Sequence, residues 1–149
     1  IIKINNKLPK LEQDFNTHLA ENANKHIHSS GSNDDGEWIR FDDGTQICCH
    51  RTSVGKRTGN GKGTRDNPYR TSASRWNYPI PFISPAEISL TPIIPSNNSL
   101  DRACTVTCGS GFSTTHVLDI QAVMITGICT DIEVFVSMIA YGRYKYRGD

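Results

Sequence analysis

The chain has 149 residues, a formal net charge of +1, 36% hydrophobic and 21% charged residues, which allows one ordinary domain with an appendage and gives no global reason to expect a nucleic-acid partner. No stretch approaches the roughly 18 apolar residues of a membrane span and the first ten residues lack an apolar signal core, so no membrane insertion is expected. The chain opens on Ile1 rather than Met, and we expect it to be the ordered end of something longer.

Leu8, Leu11, Phe15 and Leu19 are spaced by three and four. That is a narrow apolar seam on a helix rather than a broad core-facing stripe. Pro9 is tolerated only in a first helical turn, which predicts a helix from near Pro9 to about Asn24. At three turns it is too short to be stable alone, and association with copies of itself is the simplest remedy; packing on its own domain is the alternative. The run Ser29-Ser30-Gly31-Ser32-Asn33-Asp34-Asp35-Gly36 is small and polar and reads as a linker. The chain therefore divides into a helical stalk and linker, 1–33, and a head, 34–149.

Glu37 to Phe41 alternates, Asp42-Asp43-Gly44 makes a turn, and Thr45 to His50 alternates again, which is a hairpin signal. From Arg51 to Arg75 the apolar pattern disappears. Gly55, Gly59, Gly61 and Gly63 lie among basic residues, and Arg51, Lys56, Arg57, Lys62, Arg65, Arg70 and Arg75 face Asp66 alone. We expect a long, mobile, locally cationic loop here. Strand signals resume at Trp76 to Phe82, where Pro79 and Pro81 predict an edge strand. They continue at 88–91, 103–108, 115–126 and 131–144. In the last segment Ile132, Val134, Val136, Met138 and Ala140 share one face. About six strands with polar and Gly-rich connections read as an all-β antiparallel sandwich behind a short α-helix.

Five cysteines, at 48, 49, 104, 108 and 129, are an odd number for a disulfide framework, and largely buried free thiols are the expected state. Zinc at Cys48, Cys49, Cys104 and Cys108 would lack a paired C-x2-C knuckle. Cys104, Val106 and Cys108 instead alternate as the inward face of a strand.

Three ordered motifs, Gly36-Glu37-Trp38-Ile39-Arg40-Phe41-Asp42-Asp43-Gly44-Thr45-Gln46-Ile47-Cys48, then Trp76-Asn77-Tyr78-Pro79-Ile80-Pro81-Phe82, then Tyr141-Gly142-Arg143-Tyr144, together resemble the C-terminal domain of phage and prophage tail fibres. The resemblance covers roughly residues 34 to 149, and Phe15 to Ser32 is similar to the short stalks before such heads. It implies an H-type-lectin-like, six-stranded β-sandwich that assembles as a homotrimer and binds a host surface polysaccharide. Its setting would be a virion tail fibre or an extracellular phage-derived particle, with upstream tail-fibre or baseplate proteins as partners. Cys49 stands where the family has Trp, and the Arg51 to Arg75 loop is longer than usual, so a different ligand is expected.

Sugar recognition uses aromatics that stack on a pyranose and side chains that bond its hydroxyls. Trp76, Tyr78, Arg102, His116, Asp119, Arg143 and Tyr144 are the candidates, with Tyr141 beside them. Lys56, Arg57, Lys62 and Arg65 are the candidates for an anionic wall polymer. In a trimer, His26-Ile27-His28 near the axis would supply six imidazoles, enough for an octahedral transition metal such as iron; exposed histidines at a stalk end are the alternative. No G-x-S-x-G elbow, phosphate loop or H-E-x-x-H pair is present, so no catalysis is expected. The competing reading is a structural tail-tip protein that binds other tail components and no glycan. Tyr69 is the lone aromatic from Arg51 to Arg75, which makes a base-stacking nucleic-acid platform a poor fit.

Overall fold

The computed structural model describes residues 7–22, 26–57, 61–98, 102–109, 113–125 and 131–149. The helix α1 (Lys7–Asn22) carries Pro9 in its first turn, as its missing donor requires. Leu8, Leu11 and Phe15 are 63%, 63% and 61% exposed, so the head of the same chain does not cover the seam. The backbone of Leu19 belongs to α1; its side chain, Asn24, Gly59, Gly127 and Cys129 lie outside the described residues. No described helix is long and apolar enough to cross a membrane.

The described strands are β1 (Ile27–Asn33), β2 (Gly36–Phe41), β3 (Thr45–Lys56), β4 (Tyr69–Arg70), β5 (Ser74–Asn77), β6 (Glu87–Ile93), β7 (Thr105–Thr107), β8 (His116–Met124) and β9 (Glu133–Arg143). One antiparallel sheet has the order β1-β2-β3-β9-β6; in the other, β4, β5 and β7 pair with β8. The expected all-β antiparallel sandwich behind one short helix is present, with more strands than six among the described residues.

The hairpin forms as its residues dictate. Gly44 has φ +90°, which an L side chain adopts only with strain, and its N–H donates to the Phe41 carbonyl at 3.0 Å. Asp43 closes the turn by accepting the Thr45 N–H at 2.8 Å.

Three segments depart from the sequence expectation; in the first, Trp76 to Phe82, read as an edge strand, the strand β5 ends at Asn77 and residues 78–82 are irregular. Ser29 to Asn33, read as linker, belongs to β1, which pairs with β2 from Ile27↔Phe41 to Asn33↔Gly36. Its small residues suit an edge strand, and Gly31 lies flat on Trp38, where a Cβ would come within 2.4 Å of the ring. Arg51 to Arg75 is not one long loop either. β3 continues to Lys56 because β9 offers a full antiparallel partner, with Thr52↔Val136 and Lys56↔Glu133; composition carries no sign of that partner. Beyond it, residues 62–67 form a turn in which Lys62 and Thr64 N–H donate to the Asn67 carbonyl. Gly61 (φ +92°) sits where a Cβ would be 1.9 Å from the Pro68 carbonyl oxygen, so this glycine serves close approach rather than mobility.

The core lies between the sheets. Val134, Val136, Met138 and Ala140 are buried, as their alternation predicts, and Cys48, Val117, Ile120 and Ala122 meet them. In β8, Val117 and Ile120 both point inward although three residues apart. The extra residue is Asp119, exposed at φ +53°, in a bulge marked by the register shift between Ser74 and Trp76; a short acidic side chain tolerates this conformation better than most.

Candidate functional site

The register of β3 on β9 defines two ends of the head. At the near end, Thr45 pairs with Arg143 and the Asp42 N–H donates to the His26 carbonyl at 2.9 Å, so the segment following α1 joins here. At the far end, Lys56 pairs with Glu133. Eleven residues of β9 (Glu133–Arg143) separate them, roughly 35 Å at about 3.3 Å per residue.

The far end carries the cationic turn. Lys62 and Arg65 are exposed, the Arg70 guanidinium meets Asn67 at 3.4 Å, and Lys56 reaches Asp131 at 3.1 Å. Tyr69 pairs with Met124 and Thr105 with Val123, which brings exposed Arg102, three residues before Thr105, to this end as well. Arg57 does not share that surface. It is fully buried, its Nη1 lies 2.8 Å from Met124 Sδ, and it contacts Cys104. Arg57 directly follows β3, and its long apolar stem fills space that a shorter residue would leave.

The near end gathers other candidates. Tyr144 donates its hydroxyl to the Phe41 carbonyl at 2.8 Å, lies under the Arg40 guanidinium at 4.6 Å, and stacks on His28 with centroids 5.8 Å apart. His28 Nδ1 is 3.2 Å from Asp42 Oδ1. Arg143 donates to the Asp43 and Lys145 carbonyls, and beside it opens a cleft of about 520 Å³ lined by Asp42, Asp43, Thr45, Tyr141 and Arg147. The Thr45 backbone N–H, then its hydroxyl, hold the Asp43 carboxyl below its ordinary range, with a smaller pull from Arg143. His116 Nδ1 sits within 2.9 Å of the Thr115 hydroxyl and 3.2 Å of Ser113 Oγ. The sequence reading missed Arg40 and the acidic cleft wall, because only the hairpin register and the return of β9 bring them to Tyr144 and Arg143.

Trp76 and Tyr78 leave the surface altogether. They are 3% and 6% exposed, in a chain of edge-to-face rings with Phe82 at 5.1 and 5.0 Å. The Trp76 indole donates to the Asp35 carbonyl at 2.8 Å, and burial pushes the Tyr78 hydroxyl up to about 12. Neither can stack on a sugar, because both fill the sandwich interior. Asp119 stands apart on the β8 bulge. The candidates thus fall at two ends and in the core, not in one pocket. The thiols also divide: Cys48 is buried, Cys49 and Cys104 are half-buried, and Cys108, expected inward, is exposed beyond the end of β7; all four are free. No cluster of three or more metal-type ligands occurs among the described residues of one chain.

No family model and no curated protein matches the chain. Solved structures that match its fold include an N-truncated R1-type pyocin tail fibre, at TM-score 0.51 and 18% identity over 76% of this chain and 84% of that one, and a C-terminal part of the P. aeruginosa R1 pyocin fibre, at TM-score 0.50 and 18% identity over 76% of this chain and 28% of that one. The chain has a tail-fibre fold. At this identity the likeness concerns the fold, and the tail-fibre fold supplies the frame, two sheets with a near and a far end, on which the residues above are arranged.

Proposed function

We propose that this chain is the receptor-binding end of a tail fibre in a phage or phage-derived particle, acting as a homotrimer that binds a host surface glycan of anionic character, without catalysis. Upstream fibre or baseplate proteins hold it. The observation that carries this reading is the placement of Lys62, Arg65, Arg102 and Lys56 at the end of the sandwich opposite the segment that follows α1. A fibre that hangs from its helix presents that end outward. Single contacts to a polymer are weak, and three heads on one fibre raise the effective concentration of the second and third contacts. With β1 paired in the sheet, we place the boundary between stalk and head just before Ile27 rather than at residue 34.

The exposed Leu8, Leu11 and Phe15 seam supports self-association, since a 16-residue helix with an uncovered apolar stripe is marginal by itself. His26 and His28 are proposed as axial metal ligands in that trimer. Asp42 on Nδ1 leaves Nε2 of His28 as the coordinating nitrogen, the carboxylate–imidazole arrangement that fixes a ligand ring.

A glycan and wall-polymer array probed with the isolated protein at low and high salt tests the proposal. Binding to acidic polymers that falls steeply with salt is expected. Failure to bind any host polymer at either salt, with binding to other tail proteins instead, overturns it in favour of a structural tail-tip role.

A further inference from the structure

We infer that the near-end cleft beside Arg143 is a second binding site, for an uncharged sugar residue, separate from the cationic far end and different from it in ligand chemistry. Two stretches far apart in sequence build its walls: the Asp42-Asp43-Gly44 turn with Thr45, and the end of β9 with the segment that follows it. Several bonds clamp the second wall onto the first. Arg143 donates to the Asp43 and Lys145 carbonyls, and the Tyr144 N–H donates to the Gly44 carbonyl at 3.0 Å. A Cβ on Gly44 would lie 2.9 Å from Lys145 Cγ and 3.0 Å from the Lys145 carbonyl oxygen, so only glycine lets the walls close this far. The cleft is shaped before a ligand arrives, and little ordering is left to be done on binding.

Its lining decides the ligand class. A volume of about 520 Å³ is that of a small-molecule site, but the walls are polar where such sites are mostly apolar. Asp42, Asp43 and Asp149 face Arg143, Lys145 and Arg147; the formal charges cancel, and neither an anion nor a cation is favoured. What remains is hydrogen-bonding capacity. The Lys145 ammonium and the Tyr141 and Tyr146 hydroxyls hold no hydrogen bond among the described residues. Asp43, whose carboxyl the Thr45 N–H and hydroxyl hold below its ordinary range, stays an ionised acceptor with positions to spare. The Tyr141 and Tyr146 rings are exposed, with no ring partner among the described residues. Unspent donors and acceptors beside bare aromatic faces suit a neutral pyranose, whose hydroxyls bond the polar groups while its C–H face covers a ring. An acidic polymer gains nothing from walls whose charges cancel, and is drawn to Lys62 and Arg65 instead. A surface polysaccharide is a long repeating chain, so a head pushed into it meets sugar along its whole length.

The test titrates the full chain with a panel of neutral methyl glycosides (hexosides, 6-deoxyhexosides and N-acetylhexosaminides), read by saturation-transfer NMR at low and high salt. At least one should bind at about millimolar strength, as a single sugar contact does, with no dependence on salt. Tyr146→Ala should weaken that binding about tenfold, and Tyr146→Phe, which keeps the ring, far less. Lys62→Ser with Arg65→Ser should leave it unchanged. Tyr146 is exposed, so each variant should melt with the wild type, which separates lost binding from lost folding. Binding of no glycoside, or binding that Tyr146→Ala leaves intact, overturns this inference, and salt-dependent capture of acidic polymers by the far end then still stands. Neutral glycoside held at the cleft with no acidic polymer bound upholds the inference and removes the anionic reading of the far end.

Discussion

Gln46 ties the hairpin to the proline segment: its Nε2 donates to the Ile80 carbonyl at 3.1 Å, and its Oε1 accepts from Arg40 Nε at 2.8 Å. The side chain is fully buried, and the neighbouring Pro81 carbonyl lies at 3.2 Å from the same nitrogen. A segment containing two prolines offers acceptors but few donors, and Gln46 supplies the missing donor. Gln46→Ala leaves those groups without it and should cost about 2–3 kcal/mol of stability, read as a lower midpoint in urea unfolding with an unchanged slope.

The positions of Lys62, Arg65 and Arg57 separate binding from folding. Lys62→Ser with Arg65→Ser removes two exposed charges and should reduce cell binding strongly, and flatten its salt dependence, while the melting temperature stays within a degree or so, as surface changes usually allow. Arg57→Ser instead empties a fully buried site beside Met124 and should destabilise by about 2–4 kcal/mol. A variant carrying all three would confuse the two effects. Unaltered binding by the double variant moves the receptor contact to the near-end cleft.

Tyr78→Phe should leave cell binding unchanged and stability equal or higher by up to about 1 kcal/mol, because the Tyr78 hydroxyl is buried with no hydrogen-bond partner among the described residues. Its pH dependence has a defined sign. The folded value is raised to about 12, above the unfolded value of about 10, so the folded state holds the proton longer and wild-type stability falls as pH rises through that window. The phenylalanine variant should lose less stability there.

Thiol labelling followed by mass spectrometry should modify Cys108 first, since it is exposed. Burial raises Cys104, and raises Cys48 to about 11, which leaves about one thiolate in a thousand at pH 8 even before access is considered. Rapid labelling of Cys48 in the folded protein would contradict its place in the core.

For the proposed axial metal, elemental analysis of never-chelated protein should give about one transition-metal ion per three chains, the number set by octahedral coordination from paired imidazoles. His28→Ala and His26→Ala should each remove it. Asp42→Asn, which weakens the carboxylate behind His28, should lower the affinity about 10–100-fold rather than abolish it. Metal-free protein from such a preparation returns both histidines to a role at the joint between α1 and β1.

The sequence by itself determined the features that depend on local period and turn chemistry. The spacing of Leu8, Leu11 and Phe15, the Asp42-Asp43-Gly44 reversal and the inward Val134, Val136, Met138 and Ala140 are all properties of neighbours along the chain, and all are present. Tertiary structure alone decided the rest. Whether Ser29 to Asn33 is linker or strand depends on β2 lying beside it, and whether Arg57 is a surface cation or a core stem depends on Met124, far away in sequence. The same holds for Trp76 and Tyr78, whose aromatic rings look equally suited to a sugar or to an interior until the second sheet closes over them. A period reports which residues share a face; only the packing of two sheets says which face is covered, and only the register of β3 on β9 says that the candidate residues stand at opposite ends of the head.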